Sequence, residues 1–315
     1  MKNHTKKNKE LLIYSFYRFV SVNNKNRIKE NLDSFLKNKI IKGTILVANE
    51  GINGSISGLQ SELIKTIAYI RKILKIKNLN IKINEVDFIP FNKLKVRLKK
   101  EIVSLGMENI NISKTKNSYI EPSQWNNLLT NENIKIIDTR NKYEISIGKF
   151  ENCIDPNTKS FREFPQKFRK LKISKEDKIA LYCTGGIRCE KATAFLKSEG
   201  FKNVYQLKGG ILNYLDFAKI KGTQNKWSGE CFVFDNRVTV DNDLFKGNYL
   251  QCYGCRRPLS KNDIKSKKYI KGVACQYCYN NRSSTQKLSS LMRQNQIDTA
   301  ERNNKTHPFK KNYSQ

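Results

Sequence analysis

The segment Cys183-Thr184-Gly185-Gly186-Ile187-Arg188 contains the residues best suited to chemistry. The apolar run at 178–182 is typical of a buried strand, and residues 189–200 are typical of a helix that ends at a glycine. Cys183 is therefore expected where a strand ends and a helix begins. Free N–H groups and the helix dipole stabilise an anion there, which should lower the pKa of the thiol. We predict a nucleophilic cysteine in an anion-binding loop; a buried structural cysteine is the alternative.

The neighbours of Cys183 support this prediction. Gly185 and Gly186 can adopt positive φ and turn successive N–H groups inward, and Arg188 adds a positive charge. Histidine activation is not expected, because the two histidines lie near the chain ends. Cys189, in the first turn of the helix, is interpreted either as a resolving thiol that forms a disulfide with Cys183 or as a small buried residue.

Strands and helices alternate on both sides of this loop, which predicts a parallel sheet covered by helices. One such strand, at 134–138, is followed by polar residues. Functional sites in these sheets lie at the carboxyl ends of the strands. Asp138 and Arg140 are therefore predicted at the same sheet edge as Cys183, in a supporting role.

A second group of cysteines suits a metal ion. Cys252, Cys255, Cys275 and Cys278 form two CxxC pairs separated by 19 residues. Four thiolates at this spacing favour one tetrahedral ion, with zinc expected and iron possible in principle. Two redox dithiols are the alternative interpretation. The adjacent Arg256 and Arg257, together with nearby tyrosines, predict a surface for single-stranded RNA.

The N-terminal part has a different pattern. Strand-like and helix-like stretches follow one another as βαββαβ over residues 11–105, which predicts a ferredoxin-like domain. Near its end, Lys95, Arg97 and Lys99 alternate with apolar residues. On a strand these three cations would share one face, at about 7 Å spacing, where they could contact backbone phosphates. A solvated strand face in a lysine-rich protein is the alternative.

Composition sets the wider limits. The chain has 315 residues and a formal net charge of +32, which favours a polyanionic partner such as nucleic acid. Part of that charge fits the Lys-, Asn- and Ile-rich usage of an A/T-rich genome. The sequence has no apolar run long enough for a membrane span and no secretion signal, so we expect a cytoplasmic protein. Eight cysteines in such a chain favour metal binding or chemistry over disulfides.

The chain resembles the rhodanese superfamily over residues 118–222. The resemblance rests on three segments, 138–150, 183–188 and 207–211. In that superfamily the loop cysteine carries a persulfide within a cradle of N–H groups. By resemblance Cys183 takes this role, and residues 184–188 form the cradle.

Over residues 11–280 the chain is similar to the rhodanese-domain tRNA uridine hydroxylases of bacteria. The motifs that carry this likeness occur in one order: residues 50–54, 93–102, 182–191, 232–237 and the final four cysteines. The resemblance implies that the chain converts the wobble uridine of tRNA to 5-hydroxyuridine with molecular oxygen. Nothing in the sequence matches a flavin or nicotinamide motif, and the resemblance leaves the electron donor and the oligomeric state open.

The domain organisation follows from these patterns. We expect a basic tail (1–10), a ferredoxin-like domain (11–105), a linker (106–117), a rhodanese domain (118–222), a zinc-knuckle region (223–280) and a mostly disordered basic tail (281–315).

Three functions other than hydroxylation would fit parts of the sequence. A sulfurtransferase or persulfide carrier would suit the loop alone, but it does not need the flanking domains. A cysteine phosphatase is disfavoured, because only four residues separate Cys183 from Arg188 and a phosphate-sized anion would fit poorly. An RNA-binding module with an inactive rhodanese domain is disfavoured by the presence of Cys183.

Overall fold

The structure is a computed structural model that describes residues 11–107, 110–115, 118–305 and 308. The chain divides into two compact units, the first ending at Ser104 and the second beginning at Leu105. The predicted basic tail at 1–10 and both histidines lie outside the described residues.

The first unit has the predicted ferredoxin-like architecture. Its elements are β1 (Leu11–Phe19), α1 (Lys25–Leu36), β2 (Ile41–Ala48), β3 (Gly51–Leu59), α2 (Gln60–Leu74), β4 (Asn80–Glu85) and β5 (Leu94–Leu98). The strand order is β4-β1-β3-β2-β5, in which β5 extends the βαββαβ pattern by pairing in parallel with β2. The apolar stripes of both helices, including Leu32 and Ile67, pack against the sheet in one core.

The second unit begins with the predicted α/β pattern. Its elements are β6 (Tyr119–Ile120), α3 (Pro122–Leu129), β7 (Ile134–Asp138), α4 (Lys142–Ile145), β8 (Gly148–Phe150), α5 (Phe164–Phe168), β9 (Lys178–Tyr182), α6 (Ile187–Ser198), β10 (Val204–Leu207) and α7 (Gly210–Lys221). The parallel sheet has the order β6-β10-β9-β7. Asp138 and Tyr182 are paired in register at the carboxyl ends of β7 and β9, which places the residues after them at one edge.

A cluster of aromatic rings stabilises this sheet from one side. Phe150 packs edge to face against Tyr182, Tyr214 and Trp227, with centroid distances of 4.9–5.1 Å. Each such pair contributes about 0.5–1.5 kcal/mol beyond its buried area. The strand that delivers Cys183 is thus anchored directly before the cysteine.

The remainder of the second unit consists of short strands and one long helix. These elements are β11 (Trp227–Gly229), β12 (Cys231–Phe232), β13 (Thr239–Val240), β14 (Leu250–Gln251), β15 (Pro258–Leu259) and α8 (Ser284–Arg302). Within the described ranges, no helix combines the length and apolar character that a membrane crossing requires. The predicted boundaries at 222 and 280 stay predictions.

One expectation for the less regular segments was wrong. Residues 284–302, expected to be mostly disordered, form the 19-residue helix α8. Ser283 and Gln286 cap its first turn reciprocally, and Arg282 ties it to the preceding knuckle through the Gly254 carbonyl. Within the predicted linker, Thr115 is buried and its hydroxyl lies 3.1 Å from the Glu190 carboxylate on α6.

Candidate functional site

The predicted strand–loop–helix surrounds Cys183 with backbone donors. The residue is 1% exposed and lies between the end of β9 and the start of α6. Gly186, at φ +94°, precedes α6 and donates its N–H to the Cys183 sulfur at 3.1 Å. The backbone N–H groups of Arg188 and Cys189 also point to this sulfur. The loop is thus a cradle for a sulfur anion, as its glycines indicated.

The start of α7 holds the other side of this loop. Ile211 donates its N–H to the Cys183 carbonyl at 2.9 Å, and Leu212 donates to the Thr184 carbonyl at 3.1 Å. Gly210 directly precedes Ile211 and has φ +67°, and a Cβ at this position would stand only 2.4 Å from the Cys183 carbonyl oxygen. Any other residue at 210 would displace the loop.

The environment of Cys183 lowers the pKa of its thiol. Burial, the largest influence, raises the pKa, but a hydrogen bond from the Cys189 thiol, the charge of Arg188 and the backbone donors outweigh it. The resulting pKa is about 6, so the group is mainly thiolate at neutral pH. Burial, with the neighbouring Cys183 thiolate, raises the pKa of Cys189, whose sulfur lies 3.6 Å from the Thr139 hydroxyl.

Arg188 is not a free charge. Its guanidinium makes two hydrogen bonds to the Glu144 carboxylate, at 2.7 and 2.8 Å, and a longer one to Thr184. Burial favours a higher pKa for Glu144, but the charge and hydrogen bonds of Arg188 hold it below the ordinary value of 4.5. The sequence prediction missed Glu144. The signal that the sequence offered for Glu144 was its capping-box spacing from Asn141, the N-cap residue of α4.

Asp138 and Arg140 lie at the predicted sheet edge, but they pair with each other. Arg140 donates from two nitrogens to the Asp138 carboxylate, and both side chains are fully buried. Arg140 also donates to the backbone carbonyls of Glu144 and Gly148. This buried ion pair is therefore better placed to stabilise the loop that carries Glu144 than to contact a substrate.

The rest of the loop leaves room for a ligand. Gly185 is half-buried, and no atom lies within 4 Å of the position that its Cβ would occupy. Ile187, the first residue of α6, is also half-buried. The loop therefore has an open side at Gly185.

The four clustered cysteines come together as their spacing predicted. All four sulfur atoms lie within 4.8 Å of one another, in a group formed by Cys252, Cys255, Cys275 and Cys278. Three of the sulfur–sulfur distances are 3.8, 3.8 and 3.9 Å. A tetrahedral ion with bonds of about 2.3 Å to sulfur requires edges of about 3.8 Å. The donor set and its size therefore fit a metal ion.

The predicted RNA contacts fall into two groups. Beside the four cysteines, Arg256 lies 5.3 Å from the Tyr253 ring centroid and Arg257 lies 5.2 Å from that of Tyr277. Both tyrosines are about half exposed, so each pair offers a cation and an aromatic ring to solvent.

The other group lies in the first unit. Lys95 and Arg97 are on edge strand β5 and Lys99 directly follows it; Arg97 and Lys99 are exposed, and Lys95 is half-buried. Val96 points into the core between them. A role for these cations in RNA binding stays a prediction.

Comparisons with known proteins agree with this architecture. Residues 11–102 match the family model of the UPF0176 acylphosphatase-like domain, and residues 121–216 match that of the rhodanese-like domain. The chain is 45% identical to the tRNA uridine(34) hydroxylase of Pelagibacter ubique over 96% of this chain and 99% of that protein.

Two solved structures are also similar to part of the chain. A rhodanese-related protein from Thermoplasma volcanium is 24% identical, over 31% of this chain and 90% of that one, with a TM-score of 0.27. A rhodanese-like domain protein from Staphylococcus aureus is 21% identical, over 31% of this chain and 90% of that one, also with a TM-score of 0.27.

Proposed function

The chain belongs to the tRNA uridine(34) hydroxylase family, and on that premise we propose that it converts uridine 34 of tRNA to 5-hydroxyuridine, with Cys183 acting on the base. The observation that carries the role of Cys183 is its thiolate, held in a cradle of N–H groups with an open side at Gly185. A thiolate is the strongest nucleophile that a protein side chain offers at neutral pH.

Hydroxylation replaces the hydrogen on C5 of the uracil by a hydroxyl group, which is a two-electron oxidation of the base. We propose molecular oxygen as the source of the added atom. The second oxygen atom would leave as water, with two electrons and two protons supplied by an external reductant. The resemblance of the sequence to oxygen-dependent hydroxylases supports this choice. The reaction would take place in the cytoplasm, where tRNA functions.

Loss of the gene should remove the product from tRNA. We expect nucleosides from a deletion strain to lack 5-hydroxyuridine and its derivatives, and a plasmid copy of the wild-type gene to restore them. Growth under ¹⁸O₂ should place the heavy atom in the restored nucleoside, as mass spectrometry would show. Unchanged wobble uridine in the deletion strain would contradict the proposed function, whereas unlabelled product would contradict only the role of oxygen.

A persulfide on Cys183 is the second candidate chemistry. The N–H groups that point to the sulfur would equally stabilise a terminal sulfur anion, and the open side at Gly185 gives room for one more atom. Mass spectrometry of the protein after exposure to thiosulfate distinguishes the two candidates. A persulfide carrier would gain one sulfur atom on Cys183 and pass it to an acceptor.

We propose zinc as the ion held by the four cysteines. Their four sulfur donors and tetrahedral spacing suit zinc, which would cross-link β14, β15 and the turns around them. Such a closed site supplies folding energy instead of catalysis.

Removal of one ligand should unfold the knuckle locally. For Cys275→Ser we expect zinc content to fall from about one ion per chain to well below that, since a structural site needs all four ligands. Elemental analysis gives the metal content, and limited proteolysis should show new cleavage between 248 and 302. Cys153→Ser is the matched control, because Cys153 is half-buried and lies outside the cluster. Full zinc occupancy in Cys275→Ser would contradict the assignment.

A further inference from the structure

The loop at 233–238, which joins β12 to β13, places an aromatic ring beside the Cys183 loop. Phe234 is 66% exposed, and its ring centroid lies 5.9 Å from the Arg188 guanidinium carbon. Arg188 closes the Cys183 loop, and its charge acts on the Cys183 thiol. The ring therefore lies beside the arginine that closes the Cys183 loop.

This loop is built to hold one conformation. Asp235 accepts hydrogen bonds from the backbone N–H of Arg237 and from its guanidinium, and both side chains are buried. Val238 adopts φ +69°, which is a genuine outlier for a β-branched residue. Its N–H donates to the Asp235 carbonyl, and its carbonyl accepts from Val233. Backbone strain of this kind persists only where the surroundings enforce it, and it clusters at functional sites.

Aromatic packing holds the Phe234 ring in place. Phe232 meets Phe234 edge to face at 5.1 Å, and Tyr143 meets Phe232 in the same way at 5.4 Å. Phe232 is buried, whereas Phe234 projects from this stack into solvent. Phe234 thus presents an exposed aromatic face that a buried neighbouring ring supports.

The exposed ring of Phe234 suits a nucleic-acid base. Stacking on an aromatic side chain is the common way in which proteins hold an unstacked RNA base.

We propose that Phe234 is a stacking platform for the uracil of the target nucleotide as it enters the Cys183 pocket. This inference rests on the proposed function and deepens it. Cys183 is buried in its loop, so the target base must leave its own stack to reach the sulfur. Contact with the Phe234 ring replaces part of the stacking that the base gives up, and it orients the base over the open side of the loop.

Substitutions at 234 should distinguish two roles of the ring. It either stacks on the base or only shields the Arg188–Glu144 ion pair from solvent. For Phe234→Ala we expect the KM for tRNA to rise about tenfold, the scale of one lost stacking contact. Phe234→Tyr should behave like wild type, and Phe234→Leu should behave like Phe234→Ala. Phe245→Ala is the matched control, because Phe245 is 63% exposed beside Lys219 near the other end of α7. Wild-type kinetics in Phe234→Leu would overturn the proposal.

A binding assay tests the same contact without turnover. In Phe234→Trp, an anticodon stem-loop RNA should quench the fluorescence of the new tryptophan. The two native tryptophans are buried, and the wild-type protein gives their background signal. The quench should disappear when nucleotide 34 is abasic and persist when a neighbouring nucleotide is abasic. The reverse pattern, or equal quenching by all RNAs, would overturn the proposal. The expected quenching pattern in Phe234→Trp, together with wild-type protein that forms no 5-hydroxyuridine, would instead count against the proposed function.

Discussion

Replacement of Cys183 by serine should lower the rate of tRNA hydroxylation about a thousandfold or more, the scale on which loss of a nucleophile lowers kcat. With a thiol pKa of about 6, the native residue is ionised at neutral pH, whereas a serine hydroxyl is not. The two side chains are close in size, so the fold should be kept. Quantification of 5-hydroxyuridine formed by purified protein gives the rate, and full activity in the variant would remove Cys183 from the reaction.

Cys189 provides the control for this experiment. We expect Cys189→Ser to weaken hydroxylation only modestly, because Cys189 supports the thiolate by a hydrogen bond. Cys189→Ala removes that donor and should raise the pKa of Cys183 above about 6, as the ultraviolet absorbance of the thiolate would show. An equally large loss of activity in Cys189→Ser would point instead to an obligatory Cys183–Cys189 disulfide.

Glu144→Gln should strongly destabilise the second unit. It leaves the Arg188 guanidinium buried without a counter-charge, which costs about 3–5 kcal/mol. For a unit of this size that loss corresponds to a fall in Tm of roughly 10 °C, which calorimetry would detect. Glu199→Gln is the matched control, since Arg169 and Glu199 form a similar two-bond pair at the surface, worth at most about 1 kcal/mol. Equal Tm values for both variants would contradict the prediction.

The same pair predicts a dependence of stability on pH. Because the pKa of Glu144 is lower in the folded chain than its ordinary value of 4.5, its contribution is complete above that value. The contribution is lost as the pH falls through the lowered folded-state pKa. As the pH falls below about 4.5, Glu144→Gln should therefore lose less stability than wild type. The double variant Glu144→Gln/Arg188→Met should recover much of the Tm that Glu144→Gln loses, because it also removes the unpaired buried charge.

The part of the site that is local in sequence could be predicted. A buried strand, a glycine turn and a helix start within ten residues place Cys183 and its N–H donors by backbone geometry alone. The two CxxC pairs were equally informative, because thiolates at that spacing have few other uses. The confirmed ferredoxin-like and parallel α/β architectures likewise follow from periodicity of the apolar residues.

The missed parts depend on contacts between distant residues. Glu144 and Arg188 are 44 positions apart, and no spacing rule links them. Helix α8 carries exposed apolar residues and few buried ones, so its stability depends on its cap and on Arg282, which binds Gly254 in the knuckle. Phe234 lies within the motif at 232–237, and only its exposure beside Arg188 marks it as a candidate contact.

The two-bond pairing of Arg188 with Glu144 has a consequence for which part of an RNA can enter the pocket. The pair is neutral as a unit, and so is the neighbouring Asp138–Arg140 pair. Once Cys183 ionises, these groups together carry one negative charge. A phosphate group of the tRNA backbone would be repelled there, whereas an uncharged pyrimidine ring would not. On the proposed function, the charge beside Cys183 would thus leave the phosphate to cations outside the loop and favour the approach of the uncharged base.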